Sequence, residues 1–448
     1  MRARIGASLL AGLLGWGLLL SAFWPGLLSF DAAVMWFQAR GAPIDTIHSP
    51  FFTLVWRGLS KLGDSPAPVF VLYSGLFWAV LAMLAASLEW RAGRAALFVL
   101  LAGLCPPVFV LASRISTDIA LVACLGAAVV CILRAMTSKR FAWWLVAALL
   151  FSTGAGLMRH NAWPALLPLA WFIATRRPAG SSRRLMRIIA ALCLGLPLLA
   201  TIALRPLVEQ HRSVWPATTI WDLAAISIST GELLLPASIT GPGMTVDDLE
   251  QAFEPWGNLT IFTRTRAGMR APFLTPAQAS TKQEVLWAWW RAVRQHPDAW
   301  LRHRLSLMRM LVGSKGSDLP HQLTVTLRSQ TYKDNPVITP RHDSWHRFWI
   351  DRLSSAASAP WLAAWPWLLV YLPALGLAWR RRRRPSASLG LVVLSSGIAY
   401  ALPLFVVAPS AELRFLGWTV VAGWMGLGLA LGGVEPASGS GAADGQAA

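Results

Sequence analysis

Long apolar runs separated by short polar stretches recur along the chain, at about 5–23, 67–88, 95–113, 119–135, 142–158, 162–175, 188–204, 360–379, 388–408 and 415–433. Each approaches the roughly 20 residues that a helix needs to cross ~30 Å of hydrocarbon. A helix is also the open-chain form that satisfies its own backbone there. The pattern predicts an all-α polytopic membrane protein with about ten transmembrane helices. The runs at 142–158 and 162–175 are short and read also as one re-entrant hairpin. The first run has a basic start like a signal peptide, but "SAFWPG" offers no small-x-small cleavage site, so it is expected to remain as an anchor.

Lys and Arg gather in the turns that alternate counting assigns to one side: Arg2/Arg4, Arg91/Arg94, Arg134/Lys139/Arg140, Arg176 to Arg187 and Arg380 to Arg384. Short loops rich in these residues stay cytoplasmic. The expectation is an inner (plasma) membrane protein whose remaining loops face the periplasm or outside. Residues 1–204 then form an N-terminal transmembrane module, 205–358 an extracytoplasmic domain, 359–433 the C-terminal helices and 434–448 a disordered tail.

Within the first outer loop, 24–66, two interfacial helices are predicted. Residues 31–40, "DAAVMWFQAR", form one, with Asp31 at the start where the helix dipole favours a carboxylate. Residues 50–62, "PFFTLVWRGLSKL", form the other. They place Phe51, Phe52, Leu54, Val55, Leu59 and Leu62 on one side and Arg57 and Lys61 on the opposite one. In 205–358, Thr245 followed by Asp247 and Asp248 signals a helix start. The stretch 281–313 mixes Trp, Leu and Arg as a helix lying on the membrane surface does.

Composition agrees with this pattern, since 55% hydrophobic and 14% charged residues in 448 is too apolar for an ordinary soluble enzyme. The net charge of +19 sits largely in the cytoplasmic turns, so it marks topology and not a nucleic-acid partner. The four cysteines, Cys105, Cys124, Cys131 and Cys193, all lie inside predicted spans as small apolar residues, so no disulfide or zinc framework is implied. Many of the 25 tryptophans cluster at span ends, as an interfacial belt requires.

The polar residues left on the outer face are Asp31, Asp45 and His48 in the first loop, Asp118, Arg159–His160–Asn161 and Arg414 in short turns. Each has a bland reading. Asp31 is an N-cap, Asp118 pairs with Arg114, Arg159 and Arg414 snorkel, and the histidines are satisfied interface residues.

The order of these features resembles the GT-C superfamily of membrane glycosyltransferases. The likeness lies in "PGLLSFD" and "HSPFFTLVWRGL" after the first span, "ASRISTDIALVACLGAAVVCILRA" further on, then "GLMRHNAWPALLPLAWFIA" and the arginine-led "AELRFLGWTVVAGW". It covers about residues 1–205 well, the C-terminal spans loosely and 205–358 hardly at all.

The resemblance implies transfer of a sugar from a polyprenyl-phosphate donor to a hydroxyl of a cell-envelope glycan, lipid or protein at the outer interface. Asp31 would be the catalytic base and Asp118 the second acid candidate. Arg159 and Arg414 would hold the donor phosphate, because guanidinium forks match phosphate oxygens. His48, His160 and Asn161 would orient substrate. Several branches of the family carry two acids close together in the first loop, whereas Phe30 and Ala32 flank a lone Asp31 here. No metal site is therefore assigned. A divalent cation, which wants several oxygen ligands, enters only if the fold brings Asp45 or Asp118 to Asp31.

Two other classes share the composition: a lipid-linked glycan polymerase or ligase, and a lipid-linked glycan transporter. A carrier is expected to bury charges mid-span, whereas these cluster at span ends.

Overall fold

The computed structural model describes residues 1–176, 178, 181–264, 279–313, 329–338, 343–356 and 359–434. The chain is an all-α polytopic membrane protein. Among the described residues seven helices are long and apolar enough to cross a bilayer. They are Arg2–Phe23, Ala67–Ser87, Thr117–Thr137, Phe141–Met158, Arg183–Leu207, Pro385–Val407 and Leu413–Leu431. Ala92–Gly103 and Pro106–Ala112 are long and apolar enough only taken together, as a broken span or a re-entrant loop bent by 68° where Pro106 and Pro107 follow the break.

Two of the expected runs fall short. Ala162–Thr175 has 14 residues and contains Pro168. The run at 360–379 is broken into Pro360–Leu362, Trp365–Leu368 and Tyr371–Arg380. Phe141–Met158 reaches spanning length without its neighbour, so the pair is not needed as one hairpin. The expected tail lies outside the described residues beyond Val434.

Thr117–Thr137 is the centre of the bundle, buried along nearly its whole length. It packs against Ala67–Ser87, Phe141–Met158 and the last helix, Gly417–Leu431. Small residues permit that closeness, as membrane helix pairs need. A Cβ on Gly126 would stand 2.8 Å from Val80 Cγ1 of Ala67–Ser87, and where the last helix meets Pro106–Ala112 one on Gly417 would stand 2.5 Å from Leu111 Cδ2.

The first loop follows the prediction with three changes. Its first helix is Phe30–Ala39, and its cap is Ser29, whose side chain accepts from Ala32 N, so Asp31 lies inside the first turn and is not the cap. In Pro50–Leu59 the buried residues are Phe52, Thr53 and Trp56, while Leu62 is 77% exposed. Arg57 does not point away from the protein; it donates to the carbonyls of Gln38 and Ala42 and ties the two short helices together.

In the middle segment Thr245 caps Val246–Ala252 in a reciprocal pair with Asp248, as its sequence signals. The stretch 281–313 is two helices, Ala279–Gln295 and Pro297–Val312, because Pro297 lacks the N–H that a continuous helix would use. Both pack on Trp215–Thr230 through Val285, Ala292 and Ala299. At the heart of this packing Asp222 accepts from Trp289 Nε1 at 2.8 Å and Trp300 Nε1 at 3.1 Å, and it pairs with Arg304 at 2.7 Å. Arg304 also donates to the Ala408 carbonyl at 2.8 Å.

The middle segment grips both ends of the transmembrane part. Thr46 and Arg212 exchange hydrogen bonds of 2.6 and 2.7 Å. Ala411 N donates to Trp256 O, and Asn258 N to Pro409 O. Gln330 N donates to Leu28 O, Asn335 Nδ2 to Ala33 O, and the His346 ring contacts Ala22 O.

Candidate active site

Four helix ends converge on one group of charges. Leu27–Leu28 pairs in parallel with Arg114–Ile115, which sets the start of the Phe30–Ala39 helix beside the start of Thr117–Thr137. The first helix end brings Asp31 and the second Asp118. Arg159 caps the C-terminal end of Phe141–Met158, and Arg414 stands at the head of the last span. Residues separated by up to 383 positions thereby touch.

Arg414 is the hub. Its Nη1 donates to Asp31 Oδ2 at 2.7 Å, its Nε lies 4.0 Å from Asp118 Oδ2, and it pairs with Glu412. Asp118, only 1% exposed, is paired through Oδ1 with Arg159, and its Oδ2 has no hydrogen-bond partner among the described residues. The structure thus supplies Arg159 where the sequence suggested Arg114. Both guanidinium groups stand over the Phe415 ring, at 5.0 Å for Arg159 and 5.4 Å for Arg414.

On the other side of Asp31, His48 Nε2 is 3.8 Å from Asp31 Oδ1 while Nδ1 is 3.3 Å from Asp45 Oδ1. Asp45 is fixed in turn by the amides of Ile47 and His48. Burial opposes charge on all three, but the opposed pairs win. Burial would lower His48, yet the Asp31 and Asp45 carboxylates raise it to about 9, so it is an imidazolium at neutral pH. Burial would raise Asp31, yet the Arg414 charge and the His48 contact hold it far below the usual carboxylate range. Asp45 is likewise lowered, burial being outweighed by His48.

The Asp31 side chain is nonetheless 38% exposed, so the cluster opens to its surroundings at that carboxylate. Its charges are close to balance, with Asp31, Asp45, Asp118 and Glu412 against His48, Arg159 and Arg414. Neither arginine is a spare cation. An incoming anion must share them with carboxylates.

The remaining candidates stand at the edge. His160 is exposed beside Arg159, and the Asn161 Oδ1 is buried without a hydrogen-bond partner among the described residues. Asp45 joins Asp31 only through His48. Among the described residues no three His, Cys, Asp or Glu side chains are grouped to hold a metal ion.

Sequence reasoning passed over Glu412. Its signal was present, since an acid two residues from an arginine at a span head is costly unless paired.

No family model matches the sequence, and no curated protein matches it. Among solved structures it is similar to ArnT from Cupriavidus metallidurans in the apo state, with 16% identity and a TM-score of 0.35 over 95% of this chain and 76% of that one. It is also similar to the same protein bound to undecaprenyl phosphate, with 15% identity and a TM-score of 0.33 over 94% and 75%. Likeness at this level is too loose to carry a function, which must rest on the residues themselves.

Proposed function

We propose that the chain is a glycosyltransferase that moves a sugar from a polyprenyl-phosphate donor to an acceptor hydroxyl, in the inner membrane with its site facing outward. The observation that carries this reading is the half-open carboxylate of Asp31, paired with the Arg414 guanidinium, beside a second guanidinium, Arg159, that pairs with Asp118. A lipid-phosphate sugar needs those elements: a base for the hydroxyl proton and cations for the phosphate that leaves.

The electrostatics supply an order of events. With no donor bound, Arg414 holds Asp31 ionised and weakly basic, and a base of such low pKa takes a proton poorly. A donor phosphate draws the Arg414 fork, and Arg159 behind it, toward its own oxygens. Asp31 then loses its strongest partner, and its proton affinity rises as the acceptor arrives. His48, kept charged by Asp45, stays to orient the carboxylate. The reaction breaks the C1–O bond to the phosphate and forms a C1–O bond to the acceptor. The acceptor proton passes to Asp31, and the polyprenyl phosphate leaves as the anion on Arg414 and Arg159.

The purified full chain in lipid nanodiscs, given a panel of isotope-labelled polyprenyl-phosphate sugars and envelope material from cells deleted for the gene, should release polyprenyl phosphate and label the envelope fraction. Neither product forming with any donor would overturn the proposal. Cysteine labelling tests the orientation: Ser280→Cys should react with an impermeant reagent from outside, and reaction solely from the cytoplasm would invert the topology.

A further inference from the structure

A cleft of about 650 Å³ lies in the middle segment, between the Ala279–Gln295 helix and the turn Leu234–Pro236. The helix lines it with Gln283, Glu284, Trp287 and Arg291, which are spaced for one face, while Val285 and Ala292 face the core. The opposite wall is held in place: Ser227 Oγ accepts from Leu234 N at 3.0 Å. Trp287 is 57% exposed, and the side chains of Gln283, Glu284 and Arg291 make no hydrogen bond or ion pair among the described residues. An indole face bounded by an amide, a carboxylate and a guanidinium is poorly suited to hydrocarbon. It suits a sugar ring, whose C–H face packs on the indole while vicinal hydroxyls donate to the carboxylate and accept from the guanidinium and the amide N–H.

The helix that lines the cleft is also tied to the first loop of the charged cluster. Lys282, next to Gln283, donates to Ser213 Oγ at 3.0 Å. The neighbouring Arg212 is bonded to Thr46, and Thr46 adjoins Asp45, the partner of His48. One short ladder of contacts thus joins the helix that lines the cleft to the Asp31 side of the site.

We infer that this cleft is a saccharide subsite for the acceptor, so the acceptor is an extended glycan whose end reaches Asp31 while a more distant sugar stacks on Trp287. The inference rests on the transferase reading above. It assigns the middle segment a share in acceptor choice.

The test uses the full chain in nanodiscs, a labelled polyprenyl-phosphate sugar that the wild type accepts, and the glycan fraction from cells deleted for the gene as acceptor. Trp287→Ala should raise the acceptor concentration for half-maximal transfer on the order of tenfold, the size of a lost binding hot spot, and leave the donor dependence unmoved. Trp287→Phe should recover part of the loss, and Glu284→Gln should reproduce a share of it. Trp290→Ala is the control, three positions further along the helix, 48% exposed and outside the cleft. If Trp287→Ala and Trp290→Ala weaken transfer alike, the face is docking on lipid and the inference is overturned. An unchanged acceptor dependence in Trp287→Ala, or a shift in donor dependence instead, overturns it too while the transferase reading stands. A wild-type chain that transfers nothing from any donor removes both.

Discussion

Two ionic clusters built from the same three side-chain types sit in this molecule, and they are closed to different degrees. Asp222 is 1% exposed and Arg304 0%; His303 Nε2 lies 3.3 Å from Asp222 Oδ1, two indole N–H groups donate to its Oδ2, and the Ala408 carbonyl accepts from Arg304. Asp31 pairs with Arg414 and His48 in much the same way but keeps 38% of its side chain exposed. A sealed cluster gives an arriving molecule nothing to exchange, so Asp222 and Arg304 fasten three helices to the loop ahead of Arg414. An open one offers its partners to a ligand. The difference lies in enclosure and not in residue type.

The same replacement in each cluster separates these roles most sharply. Asp31→Asn should cut transfer by on the order of 10²–10⁴, the usual cost of losing a general base, with folding intact because Ser29 caps the helix. Asp222→Asn leaves the buried Arg304 charge uncompensated and should destabilise by about 3–5 kcal/mol, read by denaturation in mild detergent, with turnover per folded molecule little changed. A stable but inactive Asp222→Asn protein, or an unstable but active Asp31→Asn one, would reverse the comparison.

Arg414 comes next in size. Arg414→Ala should slow transfer by on the order of 10²–10³, as loss of one charge-stabilising donor group does, and Arg414→Lys should restore only part, since an ammonium has no bidentate fork. Full restoration by Lys would reduce Arg414 to a point charge.

The smallest effect is a pH dependence. His48 is raised to about 9, so its contribution to stability is fully present below its ordinary value near 6.5 and is lost as pH rises through about 9. Asp45 is lowered, so its share is present above the ordinary carboxylate range and is lost on acidification. Stability measured between pH 6.5 and 9 should therefore decline in the wild type and decline less in His48→Gln. Equal slopes would mean that His48 is not charged in the folded chain.

The legible part of this molecule was whatever hydrophobic length and charge position encode. Apolar runs gave most of the spans, and Thr245 with Asp248 marked its helix correctly. The places of Asp31, Asp118, Arg159 and Arg414 at span ends made them candidates. Their pairing was not legible, because Asp118 prefers Arg159 over the nearer Arg114 only once Phe141–Met158 packs beside Thr117–Thr137. Glu412 went unnoticed because attention to cations at a span head passes over the acid next to them. Asp222 was hidden in an apolar helix, where nothing local tells that two distant indoles will donate to it. The breaks at 360–379 and at Pro297 arose where proline overrode periodicity.

The parallel pairing of Leu27–Leu28 with Arg114–Ile115, extended by Gln330 on the Leu28 carbonyl, also bears on how the molecule is built. Asp31 emerges early from the ribosome, but its neighbours arrive at positions 114, 159, 330 and finally 414. Contacts so far apart in sequence form late. A nascent chain therefore carries Asp31 through most of synthesis without the arginines that later surround it. The charged cluster comes into being as the last helix enters the bundle.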